Sequence, residues 1–343
     1  MDNAGKLIPV LQRGLEPQLR AAVDAKAKPL GSLGRIEALA VHIGLVTGSL
    51  KPDLGRAALV VFAGDHGIVE EGVTAYPSEV SALIAQMVLD GKAGANIAGR
   101  AAGAEVFLID AGLKTALDPN DALLERRIGR GTRNFLHEPA MTGAEFDRAL
   151  DAGNRVAAGL REKSFGILAL GEIGIGNTSA AAAVAHALTG LPLEKLVGNG
   201  AGAPPLGLEH KREVLARAYA RAPVRKGRDA LIEFGGFEMA MLAGAMLAGA
   251  GNAQVLLVDG FIATAAACAA VSIEPSLRDY LLFAHRSPEA GHIVLLEWLG
   301  AEPLLDLGMR LGEGTGAALA IPLLRMAEGM LNEMASLPGD HPN

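Results

Sequence analysis

Leu168-Ala169-Leu170-Gly171-Glu172-Ile173-Gly174-Ile175-Gly176-Asn177-Thr178-Ser179, followed by Ala180-Ala181-Ala182-Ala183-Val184, decides how the chain is read. An apolar run ends in glycines, and Asn-Thr-Ser then opens an alanine-rich segment. That order predicts a buried strand, a tight turn and a helix N-terminus. Glycines let backbone N–H groups converge on a ligand, and the first helical turn adds unpaired donors, so a phosphate is the natural guest. A tight strand-to-helix turn with no ligand would look similar. Glu172 separates the two readings, because a carboxylate beside an anion site is costly unless it has its own task. Holding a substrate hydroxyl or a developing positive charge would be such a task.

The rest of the chain is a large apolar globule. Half of its 343 residues are hydrophobic, which excludes disorder as the main state. Forty-four glycines and only 4% aromatics predict a core of Ala, Leu, Val and Ile, with helices packed closely on a sheet. A net charge of -7 argues against a nucleic-acid or anionic-membrane binder. Cys268, the single cysteine, lies in an apolar run and reads as a core residue of a reducing compartment. Histidines without metal-ligand spacing make a zinc site unexpected. No signal peptide is visible, and the greasy stretches are shorter than a bilayer span requires. A cytoplasmic protein is expected.

Outward from the opening stretch, the same vocabulary recurs. Ala57-Ala58-Leu59-Val60-Val61-Phe62-Ala63 predicts a buried strand that ends in Gly64-Asp65-His66-Gly67. Strands are also predicted over 105–109, ending in Asp110-Ala111-Gly112; over 230–234, ending in Gly235-Gly236; over 254–258, ending in Asp259-Gly260; and over 279–284, ending in His285-Arg286. With 165–170 this makes six. Helical spacing fills 11–27, about 35–46, 142–161, and a helix from Ser78 towards Ile97 with Ser78 as its cap and Gln86 within reach of the cleft. The charged stretch 126–137 predicts a long loop, and Val197-Gly198-Asn199-Gly200-Ala201-Gly202-Ala203 a glycine-rich one ahead of a helix carrying Lys211. Lys211 fits either a solvated helix surface or a phosphate contact. Glu313, between Gly312 and Gly314, precedes an apolar helix to about Met330; it fits a solvated loop carboxylate or a general base that a flat ligand approaches closely.

Glycine turns at one edge and returning helices predict an α/β fold: a doubly wound, mainly parallel Rossmann-like sheet with helices on both faces. A closed β/α barrel is the second possibility, disfavoured by the helical N-terminus and the uneven strand spacing.

The motifs in chain order resemble the nicotinate-nucleotide–dimethylbenzimidazole phosphoribosyltransferase family, across essentially the whole chain. They are Pro29-Leu30-Gly31-Ser32-Leu33-Gly34, Phe62-Ala63-Gly64-Asp65-His66-Gly67-Ile68, Tyr76-Pro77-Ser78-Glu79-Val80, 171–178, Phe234-Gly235-Gly236-Phe237-Glu238, Asp259-Gly260-Phe261, His285-Arg286-Ser287 with Glu289, Gly291 and His292, and 307–316. After Val197-Gly198, where many members read Arg-Gly-Thr-Gly, this chain reads Asn199-Gly200-Ala201-Gly202, so an arginine and a hydroxyl are missing.

The resemblance implies a homodimer acting on nicotinate mononucleotide and 5,6-dimethylbenzimidazole, without cofactor or metal. Phosphoribosyl transfer between them would give α-ribazole 5'-phosphate and nicotinate for the cobalamin nucleotide loop. It implies a small, mostly helical domain from the chain termini (1–50 and 301–343) beside a large α/β domain (51–300). It places Glu313 as catalytic base and Glu172 as a second carboxylate near the ribose. Gly174, Gly176, Asn177, Thr178 and Lys211 would hold phosphate and ribose; Ser78, Gln86 and Leu311 would wall the benzimidazole pocket. A nicotinamide-dependent oxidoreductase would share the fold but lacks an early G-x-G-x-x-G turn with an acidic ribose anchor. A non-enzymatic nucleotide sensor would need the phosphate turn but not Glu313.

Overall fold

The computed structural model describes residues 8–200, 202 and 206–337. Ala201 and Ala203 of the glycine-rich loop lie outside the described residues, as do the outermost parts of the two end segments, 1–7 and 338–343. Six strands form one sheet: β1 (Arg56–Gly64), β2 (Ala104–Gly112), β3 (Leu123–Glu125), β4 (Phe165–Ile173), β5 (Val255–Val258) and β6 (Leu281–Phe283). Their order is β3-β2-β1-β4-β5-β6 and every pair is parallel. Residues 57–64 of β1 and all of β4 are buried, as strands covered on both faces must be. The chain winds one way from β1 to β3 and the other way from β4 to β6. The order therefore reverses between β1 and β4, where Phe62 pairs with Glu172. A crevice opens at such a switch point, beyond the carboxyl ends of the two strands.

The helices are α1 (Glu16–Asp24), α2 (Arg35–Thr47), α3 (Glu79–Leu89), α4 (Gly94–Ala102), α5 (Gly143–Glu162), α6 (Asn177–Thr189), α7 (Leu193–Leu196), α8 (Gly207–Arg221), α9 (Gly227–Phe234), α10 (Phe237–Gly251), α11 (Phe261–Ile273), α12 (Ala290–Trp298) and α13 (Thr315–Asn332). Across the sheet, α10 packs on β1, β2 and β5 with α5 and α11 beside it, and α13 packs on β1, β4 and β5 with α2 and α4 beside it. Small residues set the spacing. A Cβ at Gly153 of α5 would stand 2.0 Å from the Met241 carbonyl of α10, and one at Gly244 equally close to the Leu150 carbonyl. These helices touch backbone to backbone, which is why glycine is abundant where aromatic residues are few. No described helix is long and apolar enough to cross a membrane.

Three expectations need correction. Residues 230–234 are not a strand; they end α9, whose buried Ala230, Leu231 and Phe234 share one face at helical spacing. A short apolar run cannot by itself separate the two periods. The sixth strand is instead β3, three residues at the sheet edge inside a polar stretch. The helix expected from Ser78 towards Ile97 is two helices, α3 and α4, broken at Asp90-Gly91-Lys92, where Gly91 has φ 75°. Of 279–284, Asp279 and Tyr280 close a 3-10 turn (Pro275–Tyr280) and only Leu281–Phe283 are extended.

Candidate active site

The switch point holds a cavity of about 530 Å³. One wall is the end of β4 and the turn into α6: Glu172, Ile173, Gly174, Ile175, Asn177 and Thr178. A Cβ at Gly174 would lie 2.5 Å from the Gly64 carbonyl, so the turn can cross the end of β1 only as glycine. Gly176 takes φ 93° and ends the turn. No side chain caps α6; Asn177 donates instead to the Glu172 carboxylate. Asn177, Ser179 and Ala180 N–H already donate to the Gly174 and Gly176 carbonyls and Ile175 N–H to Ser81 Oγ, so in the first turn of α6 the Thr178 N–H, with its hydroxyl, is the donor left for an anion among the described residues.

Lys211 stands behind this turn. Its buried ammonium donates to Thr178 Oγ1 (3.1 Å) and to the Gly198 carbonyl (3.2 Å), and burial brings its pKa down to about 8 against the opposing pull of Glu289. A Thr178 hydroxyl that accepts from an ammonium is left free to donate its own proton into the cavity. Lys211 thus reaches Thr178 and does not itself line the cavity.

Beside this wall, the segment 310–313 also lines the cavity. Glu313 has φ 60°, between Gly312 at 83° and Gly314 at 75°. The segment lies directly on β4: a Cβ at Gly171 would come within 2.1 Å of the Gly314 nitrogen. Glu313 Oε2 accepts from the Ala95 N–H (3.0 Å) in the first turn of α4. Burial raises the Glu313 pKa, the Ala95 bond opposes it, and the charge of Asp259 adds to the rise. Glu172 feels more: burial, then the charges of Glu238 and Asp259, push its pKa up to about 8, with Asn177 opposing and Glu313 adding. Two carboxyls of unequal basicity face one cavity, the pattern from which acid and base roles are drawn.

The sequence offers Asp259, directly after β5, as a strand ending and as part of a family motif, without a role for its carboxylate. That carboxylate fixes the Glu313 loop. Its Oδ2 accepts from Gly314 N–H (3.1 Å), and its Oδ1 accepts from Ala317 N–H (3.0 Å) and lies 3.4 Å from His285 Nε2. Burial lowers the His285 pKa, but the Asp259 carboxylate outweighs it and holds the ring above its usual value. A second buried pair, His66 Nε2 with Glu238 Oε1 at 2.9 Å, lies under the Gly174 turn: a Cβ at Gly64 would be 2.5 Å from Glu238 Oε2, and one at Gly174 would be 3.3 Å from His66 Nε2. The repeated ending of strands in Asp, Glu or Gly is the available signal for these pairs; their partners come from segments distant in sequence, Glu238 from the first turn of α10.

Of the residues expected at the base pocket, Leu311 lines the cavity and Ser78 and Gln86 do not. Ser78 sits at the N-cap of α3 without a capping bond. Gln86 donates to Asp90 Oδ1 (3.0 Å) and accepts from Asp118 N–H (3.1 Å). From α3 it is Ile84 that reaches the cavity. Cys268 is fully buried, with its thiol pKa pushed up by desolvation.

Comparison with known proteins fits this geometry. A family described as "Phosphoribosyltransferase" matches residues 8–339. The nicotinate-nucleotide–dimethylbenzimidazole phosphoribosyltransferase of Cupriavidus taiwanensis is 49% identical over 97% of this chain and 96% of its own. That of Ralstonia nicotianae is 50% identical over 94% and 92%. A crystal structure of CobT from Thermus thermophilus superposes with a TM-score of 0.90 at 44% identity, covering 94% of this chain and 97% of that one. The chain belongs to the nicotinate-nucleotide–dimethylbenzimidazole phosphoribosyltransferase family.

Proposed function

We propose that this cavity transfers the 5-phosphoribosyl group of nicotinate mononucleotide to 5,6-dimethylbenzimidazole, giving α-ribazole 5'-phosphate and nicotinate for assembly of the cobalamin nucleotide loop. The observation that carries the reading is the pairing of two buried carboxyls, Glu172 and Glu313, with the glycine turn at the start of α6 in one cavity. A nitrogen of the benzimidazole attacks C1' of the ribose. The C1'–N bond to nicotinate breaks with its electron pair returning to the pyridinium ring, which neutralises it. The donor is a β-glycoside and the product an α-glycoside, so direct displacement with inversion accounts for the change. The attacking ring gains positive charge, and Glu313 takes the proton from its other nitrogen.

Glu172, whose backbone pairs with that of Glu313, holds the ribose hydroxyls by hydrogen bonds. Gly174, Gly176, Asn177 and Thr178, backed by Lys211, receive the 5'-phosphate, whose remote binding energy positions C1'. Leu311 and Ile84 supply apolar surface for the acceptor ring. Ser78 and Gln86 belong to this pocket only if α3 moves when the ring binds.

The protein acts as a homodimer in this reading; α3 exposes Leu83 and Met87 one turn apart beside Ile84, an apolar strip suited to a second copy. A small domain from the end segments 1–50 and 301–343 beside a 51–300 large domain is part of the same proposal, with α13 of the former packed on the sheet of the latter. In support, Ala27 N–H donates to the Ala335 carbonyl (2.8 Å), and Lys26 Nζ binds the carbonyls of Leu331 and Met334 at the end of α13.

Incubating the protein with nicotinate mononucleotide and 5,6-dimethylbenzimidazole, and following free nicotinate and the α-nucleotide, tests the reading. Release of nicotinate that requires the acceptor is expected; no release, or release independent of the acceptor, overturns it.

A further inference from the structure

We propose that Arg310 selects the donor ring, receiving the carboxylate of nicotinate mononucleotide and disfavouring the corresponding amide. The inference rests on the reaction proposed above. Charge balance in the cavity motivates it. Three carboxyl groups, Glu172, Glu289 and Glu313, line the described wall. Against them stand two basic side chains, His285 and Arg310, and the His285 ring is turned to Asp259. Lys211 is spent on Thr178 and Gly198 at the phosphate end.

The donor brings two separate anions, a 5'-phosphate and a ring carboxylate. The α6 start and Thr178 answer the first. The second would otherwise enter a partly desolvated space already lined by carboxyl oxygens, a costly placement without a cation. Arg310 is exposed at that wall and makes no ion pair or side-chain hydrogen bond among the described residues. A guanidinium presents parallel N–H groups that match a carboxylate two to two, whereas an amide offers one acceptor and a competing donor.

The loop also ties this residue to the base in sequence. Gly308 at φ 65° and Gly312 at φ 83° bracket Arg310, and Glu313 is three residues on. The group that reads the donor ring and the group that deprotonates the acceptor thus sit on one short segment.

The test compares nicotinate mononucleotide with nicotinamide mononucleotide as donors, for the parent protein, Arg310→Gln and Arg310→Lys, with 5,6-dimethylbenzimidazole as acceptor. Arg310→Gln should cut the acid-to-amide ratio of kcat/KM by about 10- to 100-fold, the scale of a charge-assisted hydrogen bond lost. Arg310→Lys should restore part of that ratio. A parallel fall for both donors overturns the proposal and moves Arg310 to the phosphate; an unchanged ratio overturns it outright. A parent protein that releases neither nicotinate nor nicotinamide from the respective donors would sink the reaction itself, an outcome distinct from a normal parent rate with an unmoved ratio.

Discussion

The backbone N–H of Glu313 donates to the backbone carbonyl of Glu172 at 3.2 Å. The two carboxylate-bearing residues are 141 positions apart (313 − 172) yet are spaced by main chain rather than by side-chain rotamers. The contact exists because Gly171 offers no Cβ. Gly171→Ala would drive a methyl group into Gly314 backbone atoms 2.1 and 2.3 Å away. The variant should lose roughly 1–3 kcal/mol in urea unfolding, as overpacked sites do, and most of its turnover. Full activity in a stably folded variant would show that the spacing is unimportant.

Glu313→Gln keeps the shape of the side chain and its capacity to accept from Ala95 N–H. It removes only the basic oxygen. Turnover should fall by about 10²- to 10⁴-fold, the usual share of a general base, while the acceptor KM moves little. Steady-state kinetics decide this, and an unchanged kcat would remove Glu313 from the proton-transfer step.

Glu172 makes stability depend on pH in an unusual direction for a carboxyl. Its folded pKa is pushed up to about 8 from the model-compound value of 4.5, so the folded protein holds a proton there that the unfolded chain has released. The folded state binds more protons than the unfolded state between those values, and stability must fall as pH rises through that window. Glu172→Gln removes the dependence. Urea unfolding at pH 5, 6.5 and 8 should show the variant gaining on the parent as pH rises; a constant difference would contradict a neutral Glu172.

Asp259→Asn tests the anchor of the catalytic loop. An amide retains one oxygen for either Gly314 or Ala317, and its nitrogen is left facing an N–H group. A loss of about 1–3 kcal/mol is expected from the unmatched buried groups. The His285 pKa should drop, because burial, which lowers it, would no longer be outweighed by the carboxylate. Histidine ring resonances followed by NMR against pH would reveal this; a His285 titration identical to the parent's would break the link.

Much of this was legible in the chain because parallel sheets write their plan locally. Each long buried strand, β1 and β4 above all, is a continuous apolar run that ends in glycine, and that pattern is enough to predict the fold class and its active edge. The strand at 230–234 failed because four apolar residues in five satisfy either period, and packing of Ala230, Leu231 and Phe234 under one helix face settled it. β3 was invisible: three residues gain their extended form from the neighbouring edge of β2, not from their own composition. The carboxyls could be singled out by their glycine surroundings. Their mutual contact could not, nor could the pairings of Asp259 with His285 and of Glu238 with His66, because each joins segments that only the folded sheet and its helices bring together. Lys211 was found as a charge, but its placement behind Thr178 depends on the close approach of Gly198 and Gly200.

The left-handed backbone at Glu313 carries a consequence for engineering. A non-glycine residue at φ 60° is held there at a cost of order 1–2 kcal/mol that glycine would not incur. A screen that scores only heat resistance would therefore favour Glu313→Gly and enrich for well-folded proteins without a proton acceptor. Selection for hardiness and selection for chemistry pull this position in opposite directions, and any stabilisation campaign should hold it fixed.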